Sequence, residues 1–275
     1  MTQFERLIAI RLVSHDAAAL AGFYCAALGF KRVGVEPISV DEMALLGVLG
    51  SGWRTILALA GQALEIDQFD PPGRSYPTPA ASDDRFFQHF AMITTDISAA
   101  SARVLAAGGR AISASGPVQL PPANGSVRAV KFRDPEGHPL ELLAFQDDVP
   151  RPLAIDHSAI VVRDVAASLA FYQSRGLSVG ARTLNHGPAQ AALDGLPDPH
   201  VDVVPLNPRG GGPHLELLGY RDPAPRPPET WQPRDVAATR LVWEAAEAAL
   251  IADLDGHFHQ FQPRGTPRAS PPESA

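Results

Sequence analysis

Cysteine is nearly missing. Cys25 stands alone among 275 residues, so no intrachain disulfide can form and a disulfide-stapled secreted scaffold is excluded. Clustered positive charge is missing too: the 23 Lys and Arg are outnumbered by 30 Asp and Glu and form no run, which removes the electrostatic footprint that nucleic acid requires. No apolar stretch reaches the ~20 residues of a membrane span. The opening segment, Met1 to Arg6, leads into a short apolar run broken by Arg11, the pattern of a strand rather than of a signal peptide. Phosphate-loop, Gly-x-Ser-x-Gly and Cys-x-x-Cys motifs do not occur. The expectation is a cytoplasmic protein with a small-molecule ligand and with no nucleic-acid or membrane partner.

What is present is a core-forming composition, 45% hydrophobic and 19% charged, in a chain long enough for two domains. It is organised as a repeat. An apolar strand running into an Asp and then an amphipathic segment occurs at Ala9 to Asp16, His89 to Asp96 and His157 to Asp164, with the same spacing each time. Each Asp is placed to accept from the free amides of a first helical turn. Phe23-Tyr24 and Phe171-Tyr172 follow Asp16 and Asp164 at equal distances and read as core residues of their helices, which Gly29 and Gly176 end.

A second marker closes each unit: a Gly, then a hydrogen-bonding residue four positions on in an apolar strand. The pairs are Gly61 and Glu65, Gly137 and Glu141, Gly212 and Glu216, and Gly256 and Gln260. Asp134-Pro135-Glu136-Gly137 is a tight turn of the last hairpin in the second unit, and Asp253-Leu254-Asp255-Gly256 echoes it in the fourth. The fourth unit has little room between its first and last strands for a helix. Proline-rich joints separate the units at Asp70 to Gly73, Val149 to Pro152 and Pro223 to Pro228.

The capped helix with its Phe-Tyr pair, together with Asp134-Pro135-Glu136-Gly137-His138-Pro139-Leu140-Glu141-Leu142, resembles the vicinal oxygen chelate superfamily. That group includes glyoxalase I, extradiol dioxygenases, and fosfomycin and bleomycin resistance proteins. The resemblance implies an α+β fold of tandem βαβββ modules paired into two cupped half-barrels, the fourth module truncated. It assigns 1–148 to a first barrel (modules 1–72 and 80–148), 153–262 to a second, incomplete one (modules 153–222 and 234–262), and 263–275 to a disordered tail.

The resemblance also implies metal ligands on the first and last strands of both modules of a barrel. In the first barrel these positions hold Ala9, Glu65, His89 and Glu141, so Glu65, His89 and Glu141 are the expected ligands of a divalent ion. One imidazole and two carboxylates suit Mg²⁺, Mn²⁺, Fe²⁺ or Zn²⁺. Glu141 is the expected catalytic base and Arg11, on the strand of Ala9, the substrate-binding residue. The second barrel offers His157, Glu216, Arg240 and Gln260, with His157, Glu216 and His259 as an alternative metal site.

The implied activity is that of a metal-dependent isomerase or lyase acting on a small oxygenated metabolite. A noncatalytic binding or resistance-type protein is the alternative, since Ala9 removes one ligand and module four is eroded; an extradiol-type dioxygenase is the third reading. The truncated module exposes strand edges. Self-association as a homodimer through the second barrel, or a cover formed around Trp231, is expected to protect them.

Overall fold

The three aspartates cap three helices, as their spacing predicts. Side-chain oxygens of Asp16, Asp96 and Asp164 accept from the amides of Ala19, Ala99 and Ala167 at 2.9, 2.9 and 3.0 Å. The computed structural model describes residues 2–122, 125–145, 153–221 and 230–266. Module one contains β1 (Arg6–Val13), α1 (Ala17–Leu28), β2 (Lys31–Pro37), α2 (Val40–Leu46), β3 (Ser51–Leu59) and β4 (Gln62–Asp70). Module two contains β5 (Gln88–Ile93), α3 (Ile97–Ala106), β6 (Arg110–Ala111), β7 (Val118–Gln119), β8 (Val127–Arg133) and β9 (Pro139–Phe145). Module three contains β10 (Ala154–Val161), α4 (Val165–Gln173), β11 (Ser178–Val179), β12 (Thr183–Asn185), α5 (Gly187–Asp194), β13 (Val201–Asn207) and β14 (His214–Tyr220). Module four retains only β15 (Arg240–Ala245), β16 (Ala249–Ala252) and β17 (Phe258–Pro263).

The α+β class and the truncation agree with the sequence; the pairing of modules differs. A seven-stranded sheet runs β16-β17-β15-β1-β4-β3-β2, joining module four to module one. A ten-stranded sheet runs β11-β13-β14-β10-β5-β9-β8-β6, with β12 also paired to β13 and β7 to β8, joining module three to module two. In each, the two first strands meet antiparallel, β1 with β15 and β5 with β10. The expected barrels 1–148 and 153–262 therefore each contribute one module to each sheet. This pairing lets Arg240 and Gln260 of module four meet Asp67 and Arg11 of module one, contacts between buried charged and polar groups that no other partner module supplies.

Contiguous modules are tied together in another way. The hydroxyl of Tyr24 donates to Asp134 at 2.8 Å, and that of Tyr172 to Asp253 at 2.6 Å. Each of these aspartates organises a turn, Asp134 by accepting from the amides of Glu136, Gly137 and His138, Asp253 from those of Asp255 and His257. The Tyr of each Phe-Tyr pair is thus both a core residue and a clamp on the next module's hairpin. Replacing Tyr24 by Phe removes a buried hydrogen bond to a carboxylate and is expected to cost about 2 kcal/mol, read as a lower urea midpoint at unchanged slope.

One apolar core spans both sheets, taking Ile10 and Leu12 from β1, Phe90 and Met92 from β5, and buried residues of α1, α3 and α4. The concave face of the truncated module is covered by α2, whose Met43 and Leu46 belong to a buried cluster against which Leu250 of β16 packs. Trp231 instead packs on Phe86, with ring centroids 5.6 Å apart, beside Val236 and Ala237. The proline-rich joints 149–152 and 223–228 lie outside the described residues. Of the expected tail, Pro263 belongs to β17 and Arg264 pairs with Glu5; 267–275 lies outside the described residues. No helix among the described residues is long and apolar enough to cross a membrane.

Candidate metal centre

Strand register identifies equivalent positions in the four modules. Arg11 stands opposite Glu65, Ala91 opposite Glu141, Ala159 opposite Glu216 and Val242 opposite Gln260. Two residues earlier on the first strands are Ala9, His89, His157 and Arg240. Because the sheets pair modules one with four and two with three, these positions fall into two sets of different chemistry.

In the ten-stranded sheet the set is His89, Glu141, His157 and Glu216. Alternation along each strand turns all four to the concave face, where they line a cavity of about 390 Å³. His89 Nε2 lies 3.0 Å from Glu141 Oε2, and His157 Nε2 lies 3.8 Å from the same oxygen and 3.6 Å from Glu216 Oε2. One donor atom from each of His89, Glu141 and His157 falls within 4.8 Å of the others. His157 Nε2 is buried and has no hydrogen-bond partner among the described residues.

Further side chains set the electrostatics. Asp156 holds His157 Nδ1 at 2.9 Å, which places the ring proton there and aims the Nε2 lone pair at the carboxylates when the imidazole is neutral. His214 Nε2 holds Glu216 at 3.1 Å. Burial alone would lower the His157 pKa, but Glu216, Asp156 and Glu141 outweigh it and raise it to about 9. The carboxylates around the ring thus favour positive charge at His157. Burial would raise Glu216, yet His157 and His214 hold it at about 2. Burial would likewise raise Glu141, yet Lys131 and His89 hold it below the ordinary carboxylate range.

The seven-stranded sheet carries Ala9, Glu65, Arg240 and Gln260, and guanidinium groups fill its concave face. Arg11 Nε donates to Glu65 at 2.8 Å, and Arg11 Nη1 reaches Glu42 at 2.5 Å and Gln260 at 2.7 Å. Arg54 binds Asp67 at 2.7 Å and Glu42 at 2.7 Å, and Arg240 binds Asp67 at 2.6 Å. Three arginines face three carboxylates, with Glu42 delivered by α2.

The sequence-predicted residues are therefore redistributed. His89 and Glu141 come together, joined by His157 and Glu216 from what was read as the alternative site. Glu65 sits in the other sheet, neutralised by Arg11 and Arg54, and is a correction to the expected ligand set. Arg11 is tied into that same cluster and lines no part of the cavity around His89. His259 is also placed elsewhere: its Nδ1 accepts from Trp243 Nε1 at 3.0 Å, and its Nε2 lies 2.9 Å from the Tyr172 hydroxyl that donates to Asp253.

That relay has a consequence for pH. Burial disfavours the charged ring and, with His257 and Arg175 nearby, outweighs Asp253 and lowers the His259 pKa to about 4; protonation would also set a second N–H against the Trp243 N–H. The unfolded ring takes a proton near pH 6.5 and the folded one does not, so stability is full above 6.5 and falls as pH drops toward 4. The loss from this residue is about 3 kcal/mol, and His259→Gln is expected to flatten that part of the stability–pH curve.

Comparison with known proteins agrees with this architecture. The sequence profile of the Glyoxalase/Bleomycin resistance protein/Dioxygenase superfamily matches residues 6–142. The chain belongs to this superfamily. The matched span covers modules one and two, which the fold distributes between its two sheets. Among solved structures, glyoxalase I from Zea mays superimposes with a TM-score of 0.60 at 14% identity, covering 93% of this chain and 91% of that one. A putative dioxygenase from Bacillus subtilis does so with a TM-score of 0.55 at 10% identity, covering 96% and 87%. These show a shared fold over nearly the whole chain. No match was found among curated proteins.

Sequence reasoning missed Lys131, Asp156, His214 and Glu42. A signal for the main site was available: among the ways of pairing modules, only two with three completes a set of two histidines and two carboxylates. Glu42 carried a local sign as well, standing three residues after Ser39, whose hydroxyl caps α2 by accepting from the Glu42 amide.

Proposed function

We propose that the cup between modules two and three holds one divalent cation on His89, Glu141, His157 and Glu216, and that the protein is a metal-dependent enzyme of the isomerase or lyase kind acting on a small oxygenated metabolite. The observation that carries this is the convergence of two imidazoles and two carboxylates from four strands, with a buried His157 Nε2 that no described residue satisfies. Two nitrogens and two oxygens with room for further ligands suit Zn²⁺, Fe²⁺ or Mn²⁺ better than Mg²⁺, which prefers oxygen. A cation bound there would act as a Lewis acid, stabilising negative charge on a chelated substrate oxygen.

The chain's own residues supply the rest. Lys131, buried and cross-strand from Glu141, keeps that carboxylate ionised and able to accept a proton from a substrate carbon. Glu216 holds the equivalent position on the other side of the cup, so the two carboxylates flank the ligand. Asp156 and His214 fix the orientations of His157 and Glu216. Apolar walls from Leu120, Val127 and Leu218 lower the polarity around these groups and strengthen their interactions.

Proton transfer is testable without knowing the substrate. Metal-loaded protein, incubated in D₂O with a panel of small α-hydroxycarbonyl compounds, is expected to exchange a carbon-bound proton of at least one of them. Glu141→Gln is expected to slow that exchange by a hundredfold or more, within the range of about 10²–10⁴ for general-base contributions. Binding of such compounds with every C–H retained would instead mark a noncatalytic binder.

A further inference from the structure

The two sheets carry matching helical inserts, α2 in module one and α5 in module three, and the inserts treat their cups differently. The first sends Glu42 into the arginine cluster and fills its cup. The second leaves a cavity. We propose that α5, with the end of β12, forms a recognition point in the metal cup for a hydrogen-bond donor, a hydroxyl or N–H, at the end of the ligand remote from its chelating oxygens. This rests on the metal-centre reading above and adds the chemical class of the substrate.

Gln190 carries the argument. Its side chain is 3% exposed, lines the cavity, and donates through Nε2 to Asp194 Oδ2 at 2.7 Å. Asp194 also accepts from Lys131 Nζ at 2.7 Å and from the Tyr220 hydroxyl at 2.9 Å. An amide can ordinarily be assigned either way round. Here it cannot, since turning it would set its oxygen against a carboxylate that already accepts from Lys131 and Tyr220.

The Gln190 oxygen is therefore fixed as an acceptor, and it has no partner among the described residues. Asn185, 8% exposed and lining the same cavity, has a second buried amide oxygen without one. Buried acceptors are rarely left unmatched in a folded protein. Both residues line one cavity, where a ligand's hydroxyl or N–H would supply the missing partner.

The position of this point relative to the metal ligands follows from the charges between them. Lys131 is the cross-strand neighbour of Glu141 and the ion partner of Asp194, which holds Gln190. A polar line thus runs from Glu141 to α5. Leu143, Leu193, Val203 and Leu218 give the cavity apolar wall between these polar groups. The matching ligand has an oxygen pair at one end, an apolar middle, and a hydroxyl or N–H at the other end.

Zinc-loaded protein titrated calorimetrically with benzohydroxamates tests this, since the hydroxamate supplies the oxygen pair. The comparison is between ring-substituted compounds bearing hydroxymethyl and those bearing ethyl, at the meta or para position. At one of the two positions the hydroxymethyl compound is expected to bind about tenfold tighter, and Gln190→Met is expected to bring the ratio to about one. The ethyl compound, with unchanged affinity for the variant, reports that the cup is intact. Equal affinities in the unaltered protein, or a preference that survives both Gln190→Met and Asn185→Leu, would overturn the recognition point and leave the metal centre standing. Absence of both zinc uptake and hydroxamate binding would overturn the two together.

Discussion

Replacement of His157 by alanine is expected to lower the affinity for Zn²⁺ by more than about a hundredfold while leaving the fold intact. The imidazole is the member of the set that faces both carboxylates, 3.8 Å from Glu141 and 3.6 Å from Glu216. Its loss removes one of two nitrogen donors and leaves a harder, oxygen-rich remainder. Its neighbour separates ligation from orientation. Asp156 touches only the far nitrogen of the ring, so Asp156→Asn should weaken binding by about tenfold, the usual scale for a residue that orients a ligand. Calorimetric titration of chelator-stripped protein reads both. Equal losses in the two variants would mean that Asp156 is itself a ligand.

The second large effect lies in the other cup and has the opposite signature. Asp67 is wholly buried and is shared by Arg54 and Arg240. Removing one partner of a buried ion pair leaves uncompensated charge and costs roughly 3–5 kcal/mol. Asp67→Ala is therefore expected to lower the melting temperature by on the order of 10 °C while zinc stoichiometry stays unchanged. Burial would raise the Asp67 pKa, but Arg54, Arg240 and Arg11 outweigh it and hold it below the ordinary carboxylate range. The stabilisation it provides is thus present above the unfolded-state pKa near 4 and is lost as pH falls through the lower folded value. A variant that keeps its melting temperature but loses zinc would reverse the roles assigned to the two cups.

The contrast between these variants shows where function and architecture part company in one repeated module. Equivalent strand positions carry His, Glu, His and Glu in one cup and Ala, Glu, Arg and Gln in the other. At the first set the concave face is left open to a cation. At the second, Arg11 and Arg240 supply fixed positive charge and Glu42 completes the neutralisation. The same fold therefore presents one candidate metal cup and one closed, structural cup.

Much of this was legible in the sequence because it is local. The capping aspartates Asp16, Asp96 and Asp164, the hairpin turns at Asp134 and Asp253, and the shortness of module four each leave a mark within a few residues. The pairing of modules is not local. Nothing near strand β1 states whether it meets β5 or β15, so the sequence sets Glu65 with His89, whereas the fold sets it beside Arg11. The strand register sets Glu65, Glu141, Glu216 and Gln260 at equivalent positions, with His89 and His157 equivalent to each other and His259 outside the set. How these positions group into cups depends on the pairing of modules. The roles of the inserts are not local either: α2 and α5 are short, and what they do depends on which cup they enter.

The cup formed by modules two and three, and not its counterpart, is the one proposed to hold the metal. Anomalous diffraction from crystals soaked in Zn²⁺ tests it directly. A single strong peak bounded by His89, Glu141, His157 and Glu216 is predicted, with nothing beside Glu65 or Gln260. A peak in the arginine-lined cup, or none between the two histidines, would contradict the account.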